Sequence, residues 1–219
     1  MTITAIGFDL DYTLAVPDRD RSQILSDAVE AVGAPPISRE AYLEAHRENL
    51  TAETRRPIFE ALIGEEGSTV PAGRVARAYR DAVNEALVPV AGVEPMLAAL
   101  RDRYRLGLLT NGPRVAQRGK LSSLGWEDAF DEVVVTGELA AGKPDAVAFE
   151  ALLDALEATP DETVYVGDEV AADVLGASAA GMAVVQVLAP GGPGPDHRAD
   201  AHVPREELAI SLPAIVDSL

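Results

Sequence analysis

Asp9 and Asp11 stand two residues apart, directly after the short apolar run Ile3–Phe8. In an extended segment residues i and i+2 face the same way, so both carboxylates can reach one substrate. An ionised carboxylate needs no base to become a nucleophile, and its attack on phosphorus gives an aspartyl-phosphate. A second carboxyl beside it can give and then take a proton, provided crowded like charges raise its pKa. Polar groups recur at Thr110-Asn111-Gly112, at Gly142-Lys143-Pro144, and at Gly167-Asp168 with Asp173 five positions on. Taken alone, Asp168 suits a helix N-cap and Thr110-Asn111-Gly112 an ordinary turn. Together, so many carboxylates around an anionic substrate need a cation, and Mg2+ accepts oxygen ligands from a few carboxylates, substrate and water.

The elements that must position these groups alternate along most of the chain. Ile3–Phe8 reads as a buried strand. From about residue 18 to 88 the apolar spacing is helical, over 18–32, 38–50, 56–63 and 72–87, with no convincing strand among them. After Val90, helices at 94–103, 115–124, 146–157 and 171–180 alternate with strands at 105–110, 132–136, 163–167 and 183–187. A weak strand at 201–203 and a helix near 210–219 follow, and Pro190–Asp196 reads as an exposed connector. The pattern predicts an α/β fold: a doubly wound Rossmann-like parallel sheet, residues 1–16 and 89–219, with an all-helical insertion at 17–88. Such sheets bind ligands beyond the carboxyl ends of their strands, and every polar motif above falls at or just after a strand end.

In this order and at these strand ends the motifs resemble the haloacid dehalogenase-like (HAD) hydrolase superfamily, most of whose members are phosphatases. The resemblance covers nearly the whole chain, because the helical block sits where such proteins carry a cap, and the layout is most similar to the phosphoglycolate phosphatase group. It implies that Asp9 attacks phosphorus, that Asp11 protonates the leaving oxygen and then activates water, and that Lys143 neutralises phosphate and Asp9. It further implies Mg2+ held by Asp9, the Asp11 backbone carbonyl and Asp168, with Asp173 close by or bound through water. Thr110 and the amides of Asn111 and Gly112 would hold phosphate oxygens. Two departures stand out: Glu169, where many relatives have a small hydroxyl residue, and Ala172, where Asn is common. Dehalogenases lack an acid two residues after the nucleophile, so Asp11 favours phosphate hydrolysis. A phosphosugar mutase would keep both acids, and a non-catalytic scaffold would show a broken motif.

One competing motif fails on chemistry. Gly137–Lys143 matches a P-loop up to its last position, but Pro144 supplies neither the hydroxyl for Mg2+ nor an N–H for phosphate. Lys120, on the helix after Thr110-Asn111-Gly112, reads as a solvated helix residue. Arg47, Arg55, Arg56 and Arg114 are candidates for a second anionic group on the substrate, although arginines of this kind are ordinarily solvated.

The 219 residues carry a net charge of −18, with no basic run, which argues against nucleic acid as a partner. Only two of the basic residues are lysines, Lys120 and Lys143. That composition fits either adaptation to high salt or a GC-rich genome. The absence of cysteine excludes disulfides and thiolate metal sites, and His46, His197 and His202 lack metal-ligand spacing. The start of the chain does not read as a signal peptide. The longest apolar stretch, 174–189, is shorter than the ~20 residues of a membrane span. A cytoplasmic enzyme for a small phosphorylated metabolite is expected, with no membrane partner and with its oligomeric state open.

Overall fold

The computed structural model describes residues 2–64 and 69–219. The chain enters through strand β1 (Ala5–Phe8), makes a compact turn, and forms the short strand β2 (Ala15–Pro17). Four helices follow, α1 (Arg21–Ala31), α2 (Arg39–Arg47), α3 (Arg56–Gly64) and α4 (Ala72–Ala86), and strand β3 (Leu87–Pro89) returns the chain. Alternation then runs through α5 (Val93–Arg101), β4 (Arg105–Thr110), α6 (Arg114–Leu124), β5 (Glu132–Val135), α7 (Ala146–Leu156) and β6 (Thr163–Gly167). A π-helical turn at Val170–Val174 leads into α8 (Leu175–Ala179), then β7 (Ala183–Leu188), β8 (Ala201–Pro204) and α9 (Leu208–Ser218).

Six strands form one sheet in the order β5-β4-β1-β6-β7-β8, each pair parallel. β1 lies between β4 and β6, with Ala5 opposite both Arg105 and Thr163, so the strand order reverses around it. β1 and β6 are buried along their whole length, the state of parallel strands covered on both faces. Their side chains alternate between two cores. Ile6, Phe8, Val164 and Val166 pack with Trp126 and residues of α5 and α9. Ala5 and Tyr165 pack with Phe149 and Leu152 of α7.

The inserted helices have a core of their own, built around Ile24, Tyr42, Phe59, Tyr79 and Val83. The ring of Tyr42 meets Tyr79 edge-on at a centroid distance of 5.0 Å. Where the chain crosses between the two bodies, β2 and β3 pair antiparallel, with Val16 opposite Val88. This ribbon departs from the expectation that 17–88 holds no strand. Three residues carry too little periodicity to announce a strand, and this one is stabilised by its pairing partner about seventy residues away in sequence. Among the described residues, no helix is long and apolar enough to cross a membrane.

Candidate active site

The carboxyl ends of β1, β4 and β6 lie side by side at the strand-order reversal, and the polar motifs converge there on a cavity of about 340 Å³. Asp9 follows β1, and its N–H continues the ladder by donating to Val166 O at 2.9 Å. Its carboxylate accepts from Lys143 Nζ at 2.7 Å. Lys143 Nζ also donates to Asp173 Oδ1 at 2.6 Å, and Leu109 O and Tyr165 Oη lie at 3.1 and 3.0 Å. Burial alone would lower this lysine's pKa; Asp173 and Asp9 outweigh it and hold the group charged, well above the ordinary range.

Lys143 is itself placed by reciprocal bonds between two loops. Its N–H donates to Asn111 Oδ1 at 2.8 Å, and Asn111 Nδ2 donates to Lys143 O at 3.0 Å. Thr110 is buried at the end of β4, with its Oγ1 buried and lacking a hydrogen-bond partner among the described residues. An orphaned hydroxyl facing a cavity is suited to an incoming oxygen. The amide of Gly112 is committed elsewhere, donating to Thr136 Oγ1 at 2.9 Å, which differs from the expectation that it holds phosphate. Of that pair, Asn111 lines the cavity.

Asp168 follows β6 and accepts from Thr13 Oγ1 at 3.2 Å. Asp173 folds back from the π-helical turn, with its Oδ2 accepting from Glu169 N at 3.0 Å. This fold-back needs Gly167, because a Cβ there would sit 2.5 Å from Asp173 Cγ. One carboxylate oxygen from each of Asp9, Asp168 and Asp173 lies within 4.8 Å of the others. Burial, opposed by Lys143 and aided by Asp173, raises Asp9 to about 7. Burial followed by Asp9 and Asp173 raises Asp168 to about 8. An all-oxygen set of converging carboxylates, without nitrogen or sulfur donors, fits a hard cation such as Mg2+.

Asp11 departs from expectation. Its carboxylate accepts from Arg21 Nη2 at 3.0 Å, from Gln117 Nε2 at 3.3 Å, and from Lys120 Nζ. Although burial pushes its pKa up, Lys120 and Arg21 prevail and hold it below the usual carboxylate range, not above it. Lys120 is therefore not a solvated helix residue: its side chain is 2 % exposed. Burial, partly offset by Asp11, lowers its pKa to about 7. Sequence spacing did contain the signal, because Lys120 shares a helical stripe with the buried Ala116, Gln117 and Leu121. Arg21, the first residue of α1, carried no such signal.

The four candidate arginines separate clearly. Arg47 is exposed, Arg56 pairs with Glu60 at 2.6 Å, and Arg114 pairs with Glu53. Arg55 is buried and lines the cavity. The false P-loop has a structural account: a Cβ on Gly137 would lie 2.9 Å from both Ala52 O and Gly112 O, so this glycine lets three segments meet. Pro193 is exposed, as expected of the connector, and also reaches the cavity rim.

An acidic cluster and a buried lysine lie together where a doubly wound sheet reverses its strand order, the crevice in which such folds place their ligands, and the three carboxylates could hold a hard cation. The chain belongs to the haloacid dehalogenase-like hydrolases, whose family profile matches residues 6–187. It is 31 % identical over 199 residues to glyceraldehyde 3-phosphate phosphatase of Methanopyrus kandleri, covering 84 % of each chain. It is also 31 % identical over 188 residues to phosphoglycolate phosphatase of Rhodospirillum rubrum, covering 83 % of this chain and 78 % of that one. Among solved structures, a HAD phosphatase of Thermococcus onnurineus superposes with a TM-score of 0.70 at 27 % identity, over 96 % of this chain and 98 % of that one. The protein is an enzyme of this family's phosphatase branch.

Proposed function

We propose that the protein is a Mg2+-dependent phosphomonoester hydrolase for a small phosphorylated metabolite, working through a phosphoryl group carried on Asp9. The observation that carries this reading is the placement of the Asp9 carboxylate, held by Lys143 and clustered with Asp168 and Asp173 beside the orphaned Thr110 hydroxyl. Asp9 attacks phosphorus, and the bond from phosphorus to the ester oxygen breaks. A proton from Asp11 completes the departing alcohol. Water then attacks the phosphorus of the acyl phosphate, Asp11 takes its proton, and the bond to Asp9 breaks to release phosphate. Thr110 Oγ1 and the Asn111 loop hold phosphate oxygens, and Lys143 balances their charge.

Mg2+ at Asp9, Asp168 and the Asp11 backbone carbonyl would supply charge neutralisation of the transferring phosphoryl group. Both oxygens of Asp173 already accept hydrogen bonds, from Lys143 and the Glu169 amide, which suits an orienting role or a contact through water. Asp11 is ionised while it pairs with Lys120 and Arg21, the state needed to accept a proton from water. Acting first as an acid requires those contacts to loosen. Arg21 belongs to the helical insertion, so residues 17–88 act as a cap whose position bears on this step and which shields the cavity from bulk water.

The test is hydrolysis of an aryl phosphate with Mg2+ and with excess chelator. Asp9→Asn is expected to lower kcat by at least about a thousandfold with folding nearly intact. Chelation is expected to abolish turnover reversibly. Substantial turnover by Asp9→Asn would remove Asp9 as nucleophile. A haloacid and a sugar phosphate run in parallel separate the dehalogenase and mutase alternatives, and no turnover by folded protein would leave the scaffold reading.

A further inference from the structure

The cavity has a floor and a roof of opposite character. Its floor carries Asp9, Asp168, Asp173 and Lys143, whereas the inserted helices contribute Arg39, Tyr42, His46, Arg55 and Tyr79, with no carboxylate among them. The arginines facing it are not equivalent. Arg21 is committed to Asp11, and Arg39 Nη1 donates to Tyr79 Oη at 3.2 Å while its guanidinium covers the Tyr42 ring. Arg55 is 6 % exposed, its guanidinium 5.4 Å from the centre of the Tyr79 ring. Its Nε and Nη1 are buried and make no hydrogen bond among the described residues, and no carboxylate pairs with it there.

A guanidinium stays charged and carries five donors in a planar fork matched to carboxylate and phosphate. Buried donors without acceptors are costly, and an unpaired buried charge is costlier. In a chain of net charge −18, acceptors are abundant, yet this arginine faces a cavity in place of one. His46 Nδ1, on the same roof, is likewise buried and unpartnered. Burial, with Arg55 and Lys120 next, pushes the His46 pKa down to about 3, so the ring is neutral and adds a hydrogen-bonding edge without charge.

We propose that Arg55, assisted by His46, binds a second anionic group of the substrate, so that the site takes small phosphomonoesters bearing a carboxylate or a second phosphate away from the scissile one. Three features converge on this: a cation with free donors, a neutral donor-acceptor beside it, and a roof without competing carboxylates. The proposal rests on the hydrolase reading above and narrows its substrate class.

The test uses substrate pairs that differ in the second charge. Phosphoglycerate against glyceraldehyde 3-phosphate exchanges a carboxylate for an aldehyde, and fructose bisphosphate against fructose monophosphate adds a phosphate. The wild-type kcat/KM is expected to favour one doubly anionic member by about tenfold or more, and which pair responds identifies the anion. Arg55→Met is expected to reduce that preference by about tenfold, chiefly through KM, and Arg55→Lys to restore part of it. Arg74→Met, at an exposed position of α4 that lines neither this cavity nor the smaller one on the other side of Arg55, should leave the preference unchanged. No preference in the wild type, or one that survives Arg55→Met, would overturn the proposal.

Aryl phosphate turnover reports hydrolysis separately. Should it fail, thermal stabilisation by phosphoglycolate still decides the anion site: dependence on Arg55 supports it, and equal stabilisation of wild type and Arg55→Met overturns it. If Arg55→Met does not fold, the wild-type preference and its weakening in Arg55→Lys decide the matter in the same way.

Discussion

Lys120 and Lys143 are the only lysines in the chain, and both are buried against catalytic candidates, Lys120 on Asp11 and Lys143 on Asp9. Removing one partner of a buried pair leaves the other charge uncompensated. Lys120→Met leaves Asp11 with Arg21 and Gln117, so the loss should fall below the usual penalty, at about 2 kcal/mol, or roughly 4–8 °C in Tm. We expect kcat on an aryl phosphate to fall about tenfold with KM little changed, since Lys120 acts through Asp11. Unaltered kcat in steady-state rates would show that Lys120 is only packing. The motif acids, Thr110 and Lys143 were legible in the sequence because the strand ends that place them are short-range features. Lys120 was half legible: its stripe with Ala116 and Leu121 was there to read, but Asp11, which makes a charged group tolerable on that stripe, lies 109 residues away. The same distance hid the sign of the Asp11 shift, which reflects the cations that fold against it and not its acidic neighbours in sequence.

At the scale of elements, the sheet and its helices followed from alternation because buried parallel strands and amphipathic helices carry their own period. The β2–β3 ribbon and the π-helical turn did not. The ribbon is made by pairing across the insertion, and the π turn is held by Glu169 O, which accepts from Val174 N five residues on at 3.3 Å. The inserted helices also carry a consequence for pH. His46 lies in the last turn of α2, where burial, then Arg55 and Lys120, lower its pKa from 6.5 to about 3. Between those values the unfolded chain binds a proton that the folded protein rejects, so stability rises with pH across the window. It is lost as pH falls from about 6.5 towards about 3, and fully present above. Urea unfolding at about pH 7 and about pH 4.5 should show the wild type losing more stability on acidification than His46→Gln, with carboxylate titration common to both. Parallel losses in the two proteins would show that His46 is protonated freely in the fold.

At the scale of the whole molecule, the arginines sort into two populations. Those on the exterior are mostly matched with a carboxylate, as in Arg19–Asp27, Arg101–Asp131, Arg103–Asp217, Arg118–Glu138 and Arg198–Asp196. Such exposed pairs contribute little stability and occupy the available cations. The surplus acids, which give the net charge of −18, therefore repel one another across the surface. Arg55, by contrast, keeps free donors under the inserted helices, where it faces the cavity. If this repulsion opposes folding, Tm should rise as salt is added, and the shape of the rise carries the physics. The Debye length falls from ~30 Å at 0.01 M to ~10 Å at 0.1 M and ~3 Å at 1 M. Screening of long-range repulsion should thus deliver most of its gain below about 0.2 M KCl and then level off. Adaptation to concentrated salt would add a rise that continues above about 1 M, where screening has nothing further to give. We expect the early rise in a KCl series followed by thermal unfolding. A Tm flat from about 0.01 to 0.2 M would mean that the surface pairs already neutralise the field, and that the acidity is a feature of composition without a thermodynamic effect on the fold.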